Sequence, residues 1–475
     1  MRDIPAFSGI SGGAAVSCRR ICGRVTHGRV QKALFVLIWV LSVGTAGWAQ
    51  EGAVLPLPTE NPPVLKLSLA EAIDLARGKS PNVQLYRARI EAARAAARTQ
   101  LGALLPNLAA TGKYNTQTFF LGTIGGRPVR TDQFDIVDGR ASFTQSLFSL
   151  SLIERWRASR SALQVAELDS ATTENDTVAK VALTYYEVLR NQETVNARSA
   201  NVGLYEDLVG FVKNRQAGGM ATGLDTARLE TQLENERQRL ELAKGEVERA
   251  KLTLLNAIGI GYDLSITLTD EMRAYEGMMP SLENALAAAG ADRPELKAQM
   301  QRIRTAELSV RSIKGERLPS LLAEGNYGLI GNKFENTTGT YNVGVHLSVP
   351  IFDGGQREGR IGQGVSEYNQ EQYKLDLVRN QIGMEVRDAV VTLKAALEQQ
   401  RIAKDGLKAS MTEVGLARER IRTLSSNTLE LSNALFSLVR AKDNMIDALF
   451  RVHASRVNLA RAQGQVEQLR STYNK

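Results

Sequence analysis

The sequence predicts a mainly α-helical protein that also contributes four β-strands to a membrane. Three observations support this fold class: a strand-length run with one apolar and one polar face, two long proline-free segments, and an internal repeat that covers most of the chain. Side chains alternate between the faces of a strand, whereas an uninterrupted helix requires that proline be absent from its interior.

The clearest strand signal lies between residues 340 and 352. Its apolar positions alternate with polar ones and are Tyr341, Val343, Val345, Leu347, Val349 and Ile351. About 11 alternating residues is the length of a tilted strand that crosses a bilayer. Similar patterns predict a partner strand at about 320–333, and two further strands at about 107–121 and 134–148.

Two segments without proline follow the strands. Proline is absent between Val129 and Met279 and again after Pro350, so the sequence predicts helical hairpins over 149–258 and 354–464. The first helix of each hairpin is expected to reach on the order of 100 Å at 1.5 Å per residue. Apolar residues recur every seven positions in the second helix of the first hairpin, a spacing typical of coiled-coil packing; they are Leu233, Leu240, Val247 and Leu254.

The chain repeats itself at an offset of 213 residues. The pairs that match are Leu69 and Leu282, Pro81 and Pro294, Pro106 and Pro319, Gly112 and Gly325, and Tyr114 and Tyr327. The offset becomes 204 at Phe148 and Phe352, so the first copy contains a longer loop between its strands. We therefore divide the chain into a first structural repeat (67–258), a connector (259–281), a second structural repeat (282–464) and a C-terminal tail (465–475).

The N-terminal segment 1–49 is typical of a secretory signal peptide. Its apolar core, Ala33–Ala46, follows several basic residues and precedes the small residues of a cleavage site. An uncleaved single-span anchor is the alternative, and the true translation start could lie downstream of Met1. Residues 50–66 form a proline-rich linker. Both cysteines, Cys18 and Cys22, lie within the predicted signal, so the mature chain has no disulfide.

The mature composition excludes several functions. After removal of residues 1–49 the chain holds 53 basic and 50 acidic residues, a balance that gives no case for nucleic-acid binding. His346 and His453 have no partner at metal-ligand spacing. The sequence therefore predicts no cofactor, no metal site and no catalytic residues, and an enzyme is the least favoured class.

Four strands cannot close a barrel by themselves, because membrane barrels begin at about eight strands. An open edge within lipid would leave backbone N–H and C=O groups unpaired, at a cost of several kcal/mol each. The chain is therefore expected to form an oligomer. Two, three or four copies would supply eight, twelve or sixteen strands, and the pattern alone does not choose among them.

The stretches LSLAEAIDLARGKSPNV, QLGALLPNL and VPIFDGG, together with the duplicated hairpin, resemble the TolC family of outer-membrane efflux proteins over residues 67–464. The resemblance implies a homotrimer whose four-stranded contributions form a twelve-stranded β-barrel in the outer membrane, continuous with an α-helical coiled-coil barrel in the periplasm. It also implies a passive exit duct of a tripartite efflux pump or type I secretion system. The partners would be a periplasmic adaptor protein, an inner-membrane pump and outer-membrane lipid.

The resemblance further implies a gate near the second hairpin turn. The matching positions are Glu430 and Asn433, and three Glu430 carboxylates would favour cations at a constriction. Asp225 matches an acidic partner on the first hairpin, with Arg422 as its expected contact. The family's aromatic and basic latch residues are replaced by Ile421 and Ser426. The alternative for all of these charges is that they are solvated side chains of the turns.

The hairpin turns also predict a surface that contacts the adaptor. Its residues are Gly218, Gly219, Thr222, Gly223, Ser425 and Ser426. Small residues are equally what a tight turn needs. For the whole chain, the competing function is an exported coiled-coil structural or adhesive protein without a pore. The transported cargo is left open.

Overall fold

The computed structural model describes residues 64–275, 277–423 and 428–471, which belong to one compact unit, Thr59–Lys475. The predicted signal peptide 1–49 and most of the predicted linker lie outside the described residues, as do Ser425 and Ser426.

Helices and strands alternate along the chain in two similar series. The strands are β1 (Val64–Leu67), β2 (Asn107–Gln117), β3 (Phe120–Ile124), β4 (Arg127–Arg130), β5 (Phe134–Phe148), β6 (Ser265–Leu268), β7 (Ser320–Lys333) and β8 (Asn336–Ser348). The helices are α1 (Leu69–Lys79), α2 (Pro81–Gly102), α3 (Leu150–Ala217), α4 (Gly223–Ile258), α5 (Leu282–Asp292), α6 (Pro294–Gly315), α7 (Gln356–Arg422), α8 (Thr428–Gln463) and α9 (Gln468–Ser471). The mainly helical fold class with strands is confirmed.

Local sequence sets where the helices begin and end. Ser68 caps α1, and Glu71 three residues on completes a capping box. Pro81 begins α2 and Pro294 begins α6, at the position where a missing backbone N–H costs nothing. Gly259 follows α4 with φ of +83°, a conformation that glycine adopts without strain. Proline-free interiors then allow α3 and α7 to run for 68 and 67 residues.

Four strands form one antiparallel sheet in the order β2-β5-β7-β8. Its register pairs Ser142 with Ala109 on β2 and with Asn326 on β7, and Asn326 with Asn342 on β8. The outer strands β2 and β8 each keep one edge without a partner among the described residues. The sheet is therefore open at both sides.

The hairpins α3/α4 and α7/α8 bury their apolar stripes against each other. One cluster surrounds Tyr185 and Leu254, which are fully buried, and a second surrounds Tyr205 and Leu435 nearer the hairpin turns. Within the described residues, no helix combines the length and the hydropathy needed to cross a membrane.

Several elements differ from the sequence-based expectations. The last strand, predicted at 340–352, begins at Asn336 and ends at Ser348, because Pro350 has no N–H to donate to a ladder. The strand predicted at 107–121 ends at Gln117, and the predicted loop contains a small hairpin of β3 and β4.

The predicted linker and connector contain paired strands, since β1 and β6 align in parallel, with Leu65 opposite Ile266. The predicted C-terminal tail contains α9, with Val466 and Leu469 buried against the rest of the chain. In both cases the segments that contact each other are about 200 residues or more apart in the sequence. A local sequence pattern does not report such pairings.

Candidate functional site

The sheet has one apolar and one polar face, as its register shows. Side chains opposite one another in a ladder share a face, so Tyr327 lies with Tyr341, and Gly325 lies with Phe143 and Val343. The apolar face of β8 is open to the surroundings, with exposed fractions of 78% for Tyr341, 79% for Val343, 64% for Val345 and 61% for Leu347. Such a face is suited to contact with lipid.

The opposite face carries the charged and polar residues in the middle of the sheet. Arg140 Nε donates to Asp138 Oδ1 at 2.8 Å and to Oδ2 at 2.9 Å, and its Nη1 donates to Asn326 Oδ1 at 3.0 Å. Lys113 is the cross-strand partner of Asp138. Gly328 lies beside Arg140, and a Cβ there would approach the Gly139 carbonyl oxygen to 2.6 Å. The glycine therefore leaves room for the arginine on the polar face.

The turn of the first hairpin places the predicted contact residues at its end. Gly218, Gly219, Thr222 and Gly223 are all exposed, and Gly219 has φ of +74°. The turn therefore needs glycine at Gly219 for its backbone conformation. Exposure at the tip is compatible with a contact surface, and that role stays a prediction.

Asp225 closes a capping box at the start of α4. Thr222 Oγ1 donates to Asp225 Oδ2 at 2.6 Å, and Asp225 N donates to Thr222 Oγ1 at 3.3 Å. The hydrogen bond from the Thr222 side chain, followed by that from its backbone N–H, holds the pKa of Asp225 below its ordinary value. The Arg422 side chain lies outside the described residues, so its predicted contact with Asp225 stays a prediction.

Glu430 lies in the first turn of α8 and faces back across the second hairpin turn. Arg420 Nη1 donates to Glu430 Oε1 at 2.5 Å, which joins the end of α7 to the start of α8. Asn433, one turn further along α8, is exposed. The structure thus gives Glu430 a basic partner within its own hairpin, ten residues earlier in the chain.

A second basic residue near the tips was not predicted from the sequence. Arg215, near the end of α3, donates through Nη1 to the Ile421 carbonyl oxygen of α7 at 3.4 Å. Its guanidinium also lies 5.8 Å from the centre of the Phe211 ring. A cation is favourable at the C-terminal end of a helix, where the last carbonyl groups lack intrahelical partners. Arg215 therefore links the two hairpins beside the predicted gate.

His453 is buried at the other end of α8. Its ring stacks on Tyr186 at 4.7 Å between centres, and Nε2 lies 2.9 Å from the Arg273 carbonyl oxygen. Burial lowers the pKa of His453 to about 4, and the nearby Arg456 charge contributes in the same direction. This environment favours a neutral packing histidine. No group of three or more metal-ligating side chains occurs in the part of the chain that the structure describes.

Comparison with known proteins identifies the family. Residues 72–260 and 285–465 match the model of a family described as outer membrane efflux protein. The chain belongs to this family. It is therefore an efflux protein of the outer membrane, and its long helices lie on the periplasmic side.

Individual relatives of this efflux protein are distant. It is 24% identical over 403 residues to the outer membrane protein TolC of Vibrio cholerae. That alignment covers 78% of this chain and 88% of TolC. It is 23% identical to the outer membrane efflux protein BepC of Brucella suis, in an alignment that covers 62% of this chain and 64% of BepC. The second alignment spans just under two thirds of the relative's length.

Solved structures show the same fold. A membrane protein from Pseudomonas aeruginosa superposes with a TM-score of 0.73 at 18% identity, covering 83% of this chain and 93% of that one. The outer membrane protein VceC from Vibrio cholerae superposes with a TM-score of 0.71 at 18% identity, covering 83% and 96%. These likenesses establish the architecture of the efflux protein.

Proposed function

We propose that three copies of the chain form a twelve-stranded barrel continuous with a helical tube, and that this assembly is a passive exit duct. The observation that carries the proposal is the open four-stranded sheet with one apolar face. In an antiparallel sheet β2 and β8 run in opposite directions, so β8 of one copy can continue the ladder with β2 of the next. Closure would satisfy the edge groups, which lipid cannot do.

The helices support the same assembly. On α7 the large apolar residues Leu377, Met384 and Val391 are spaced by seven positions and are 67%, 58% and 66% exposed. This spacing forms a straight seam along a helix. A neighbouring copy would cover it, so the helical tube and the barrel would close between the same subunits.

The two-repeat organisation belongs to this proposal. We infer that residues 67–258 and 282–464 are duplicated units joined by the connector 259–281. Their long helices have 68 and 67 residues, and their second helices have 36 each. Nearly equal lengths would allow both hairpins of every copy to reach the same end of the tube.

Partner proteins would deliver the cargo to the duct. Relatives include the alkaline protease secretion protein AprF and the pyoverdine export outer membrane protein OpmQ, both of Pseudomonas aeruginosa. We propose a periplasmic adaptor protein that contacts the exposed hairpin tips, and an inner-membrane pump that supplies the energy. The duct itself would perform no catalysis, and its polar face would present fixed groups such as Arg140, which is held by Asp138 and Asn326.

The proposed duct is tested by reconstitution. Purified protein added to a planar lipid bilayer should give discrete conductance steps, and membrane fractions should contain a trimer that resists denaturation until heated. A soluble elongated rod without conductance would instead indicate the coiled-coil structural or adhesive protein.

We also propose that Glu430 sets the ion preference of the periplasmic gate, with Asp225 and Arg422 helping to hold it shut. Three carboxylates around a narrow passage attract cations, and the Arg420 partner of each Glu430 would weaken this attraction without removing it. Glu430→Gln should therefore reduce the cation preference, measured as the reversal potential in a salt gradient. A reversal potential equal to that of the parent protein would show that Glu430 does not line the constriction.

A further inference from the structure

A group of three charged residues, Lys113, Asp138 and Arg140, lies on the polar face of the sheet. The register places Lys113 of β2 opposite Asp138 of β5, and Arg140 opposite Gly328 of β7. Tyr327, the neighbour of Gly328 along β7, lies on the apolar face and is 63% exposed. A charge at the depth of lipid-facing residues is costly unless it faces water, so such a charge marks a path for ions or substrate. We call these three residues the polar-face cluster.

Arg140 is held in place but keeps most of its hydrogen-bond donors. Its Nε donates to the two oxygens of Asp138 at 2.8 and 2.9 Å, and its Nη1 donates to Asn326 Oδ1 at 3.0 Å. A guanidinium has five N–H groups. These contacts engage two of them and leave three, including both of Nη2, without a partner among the described residues. The side chain is 30% exposed, so an anion can reach the remaining donors.

The contacts of Arg140 orient its side chain more than they join strands. Asp138 lies two residues earlier on the same strand, so this ion pair does not connect β5 to a neighbour. The hydrogen bond that does cross to β7 ends on the neutral amide of Asn326, and a neutral acceptor makes a weaker bond than a carboxylate. An arginine fixed by a second residue, with donors to spare, has the form of a preorganised binding group.

The polar-face cluster is positive and its surroundings do not neutralise it. Lys113 and Arg140 outnumber Asp138, which leaves one net positive charge in each copy. Lys113 Nζ lies 3.1 Å from the side-chain amide of Asn115 and pairs with no carboxylate among the described residues. Glu324 lies four residues along β7 from the position opposite Arg140, or about 14 Å at 3.4 Å per residue. This separation exceeds the Debye length of about 8 Å in physiological salt.

We propose that Arg140 and Lys113 form an anion-binding subsite on the inner wall of the barrel, and that it binds the oxyanion groups of passing cargo, such as carboxylates and phosphates. The inference rests on the proposed duct, because the polar face becomes an inner wall when copies of the chain close the barrel. Three copies would place three clusters at one level, which favours cargo with several negative groups. Arginine suits this role because its planar fork matches the geometry of an oxyanion.

The test measures block of single channels by tripolyphosphate, a small polyanion, in planar bilayers at low salt. The probe is added to the compartment opposite the one that received the protein, onto which the barrel opens, so that it reaches the barrel before Glu430. Arg140→Gln should raise the half-blocking concentration about tenfold, since a hydrogen bond to a charged group contributes about that factor to binding. Lys113→Gln should raise it less, because an ammonium group on a flexible stem makes a less oriented contact.

Three controls separate this subsite from other effects of charge and width. Arg130→Gln removes the same charge from β4, which lies outside the four-stranded sheet, and should change the half-blocking concentration less than twofold. Maltotriose, a neutral probe, should reduce the conductance equally in every variant, because the width of the barrel is unchanged. In 1 M salt the Debye length falls to about 3 Å, so tripolyphosphate should lose most of its effect.

Arg140→Lys separates binding from strand pairing. It keeps the charge and loses the fork, so its half-blocking concentration should lie between those of the parent and Arg140→Gln, while the amount of heat-resistant trimer stays that of the parent in both. Equal block of the parent and Arg140→Gln, or a parent channel that tripolyphosphate does not block, would overturn the subsite. Loss of trimer in both Arg140 variants would assign the arginine to strand pairing instead. If the parent forms neither trimer nor channel, the proposed duct itself fails.

Discussion

In the helical hairpins the large side chains Tyr185 and Leu254 are fully buried within one chain, whereas in the sheet Tyr341 and Val343 are 78% and 79% exposed. Both regions are built from periodic apolar residues. The hairpins bury theirs because two helices and their neighbours enclose an apolar stripe. In the sheet one face is polar and the other is apolar. The apolar face is exposed within a single chain, so it needs contact with lipid. The hairpins therefore account for the stability of a single chain, and the sheet accounts for its location.

The largest expected effect comes from a charge on the apolar face of the sheet. Val343→Arg should prevent assembly in the outer membrane, because an arginine that faces lipid near the bilayer centre costs about 2–4 kcal/mol in each copy. Asn342→Arg, its neighbour on the polar face, is the matched control and should assemble normally. The amount of heat-resistant trimer in the membrane fraction measures both. Equal assembly of the two variants would contradict the assignment of the faces.

A substitution in the hairpin core should affect stability and leave the location unchanged. Leu254 is fully buried and Leu252, two residues earlier on α4, is 47% exposed. Leu254→Ala should lower the free energy of unfolding by about 2–5 kcal/mol, whereas Leu252→Ala should cost much less because it leaves no cavity. Thermal denaturation of the purified protein gives the comparison. Similar losses in the two variants would show that the heptad stripe is not the packing surface.

The buried histidine of the hairpins should make stability depend on pH. The pKa of His453 is about 4 in the folded chain, against an ordinary value of 6.5 for histidine. Between these values the unfolded chain binds the proton and the folded chain does not, so stability is full above pH 6.5 and falls as the pH decreases. His453→Phe should remove a loss on the order of 2 kcal/mol between pH 7 and pH 5.

The thermal midpoint at pH 7 and pH 5 measures this dependence. Loss of the Arg273 contact lowers the variant's midpoint by a similar amount at both pH values, so the difference between them isolates the titration. A pH difference unchanged by His453→Phe would assign it to other groups.

The smallest effect is expected at the first hairpin turn. Asp225→Ala removes half of the capping box and the carboxylate near the N-terminus of α4, at a cost of about 0.3–1 kcal/mol. Because the folded pKa of Asp225 is lowered from 3.8, this contribution is present at neutral pH and is lost as the pH falls below about 4. Hydrogen exchange of the first turn of α4 at pH 7 should increase in the variant. Unchanged exchange would show that Thr222 alone caps the helix.

The sequence predicted the parts of the fold that depend on local periodicity. Alternation around Val343 and Tyr327 indicated membrane strands, and the absence of proline indicated α3 and α7. It did not predict the pairing of β1 with β6, where Leu65 lies opposite Ile266. Strands of four residues are too short to show a period. The end of β8 was placed too late, because Val349 and Ile351 keep the alternation although Pro350 ends the ladder.

The candidate site was less accessible to sequence reasoning. Glu430 could be placed from the family resemblance, but its partner Arg420 required the geometry of the turn. Arg215 had no signal of its own, since an arginine on a long charged helix is usually solvated. What distinguishes Arg215 is its hydrogen bond to the Ile421 carbonyl oxygen, 206 positions away. Spacing along one helix does not contain that information.

The central claim is that the sheet of one chain is completed by its neighbours. Native mass spectrometry of the detergent-extracted mature protein tests it most directly, because it counts subunits without assuming a pore. The account predicts a single species with three copies of the chain. A stable one-copy species that stays soluble after the detergent is removed would contradict it.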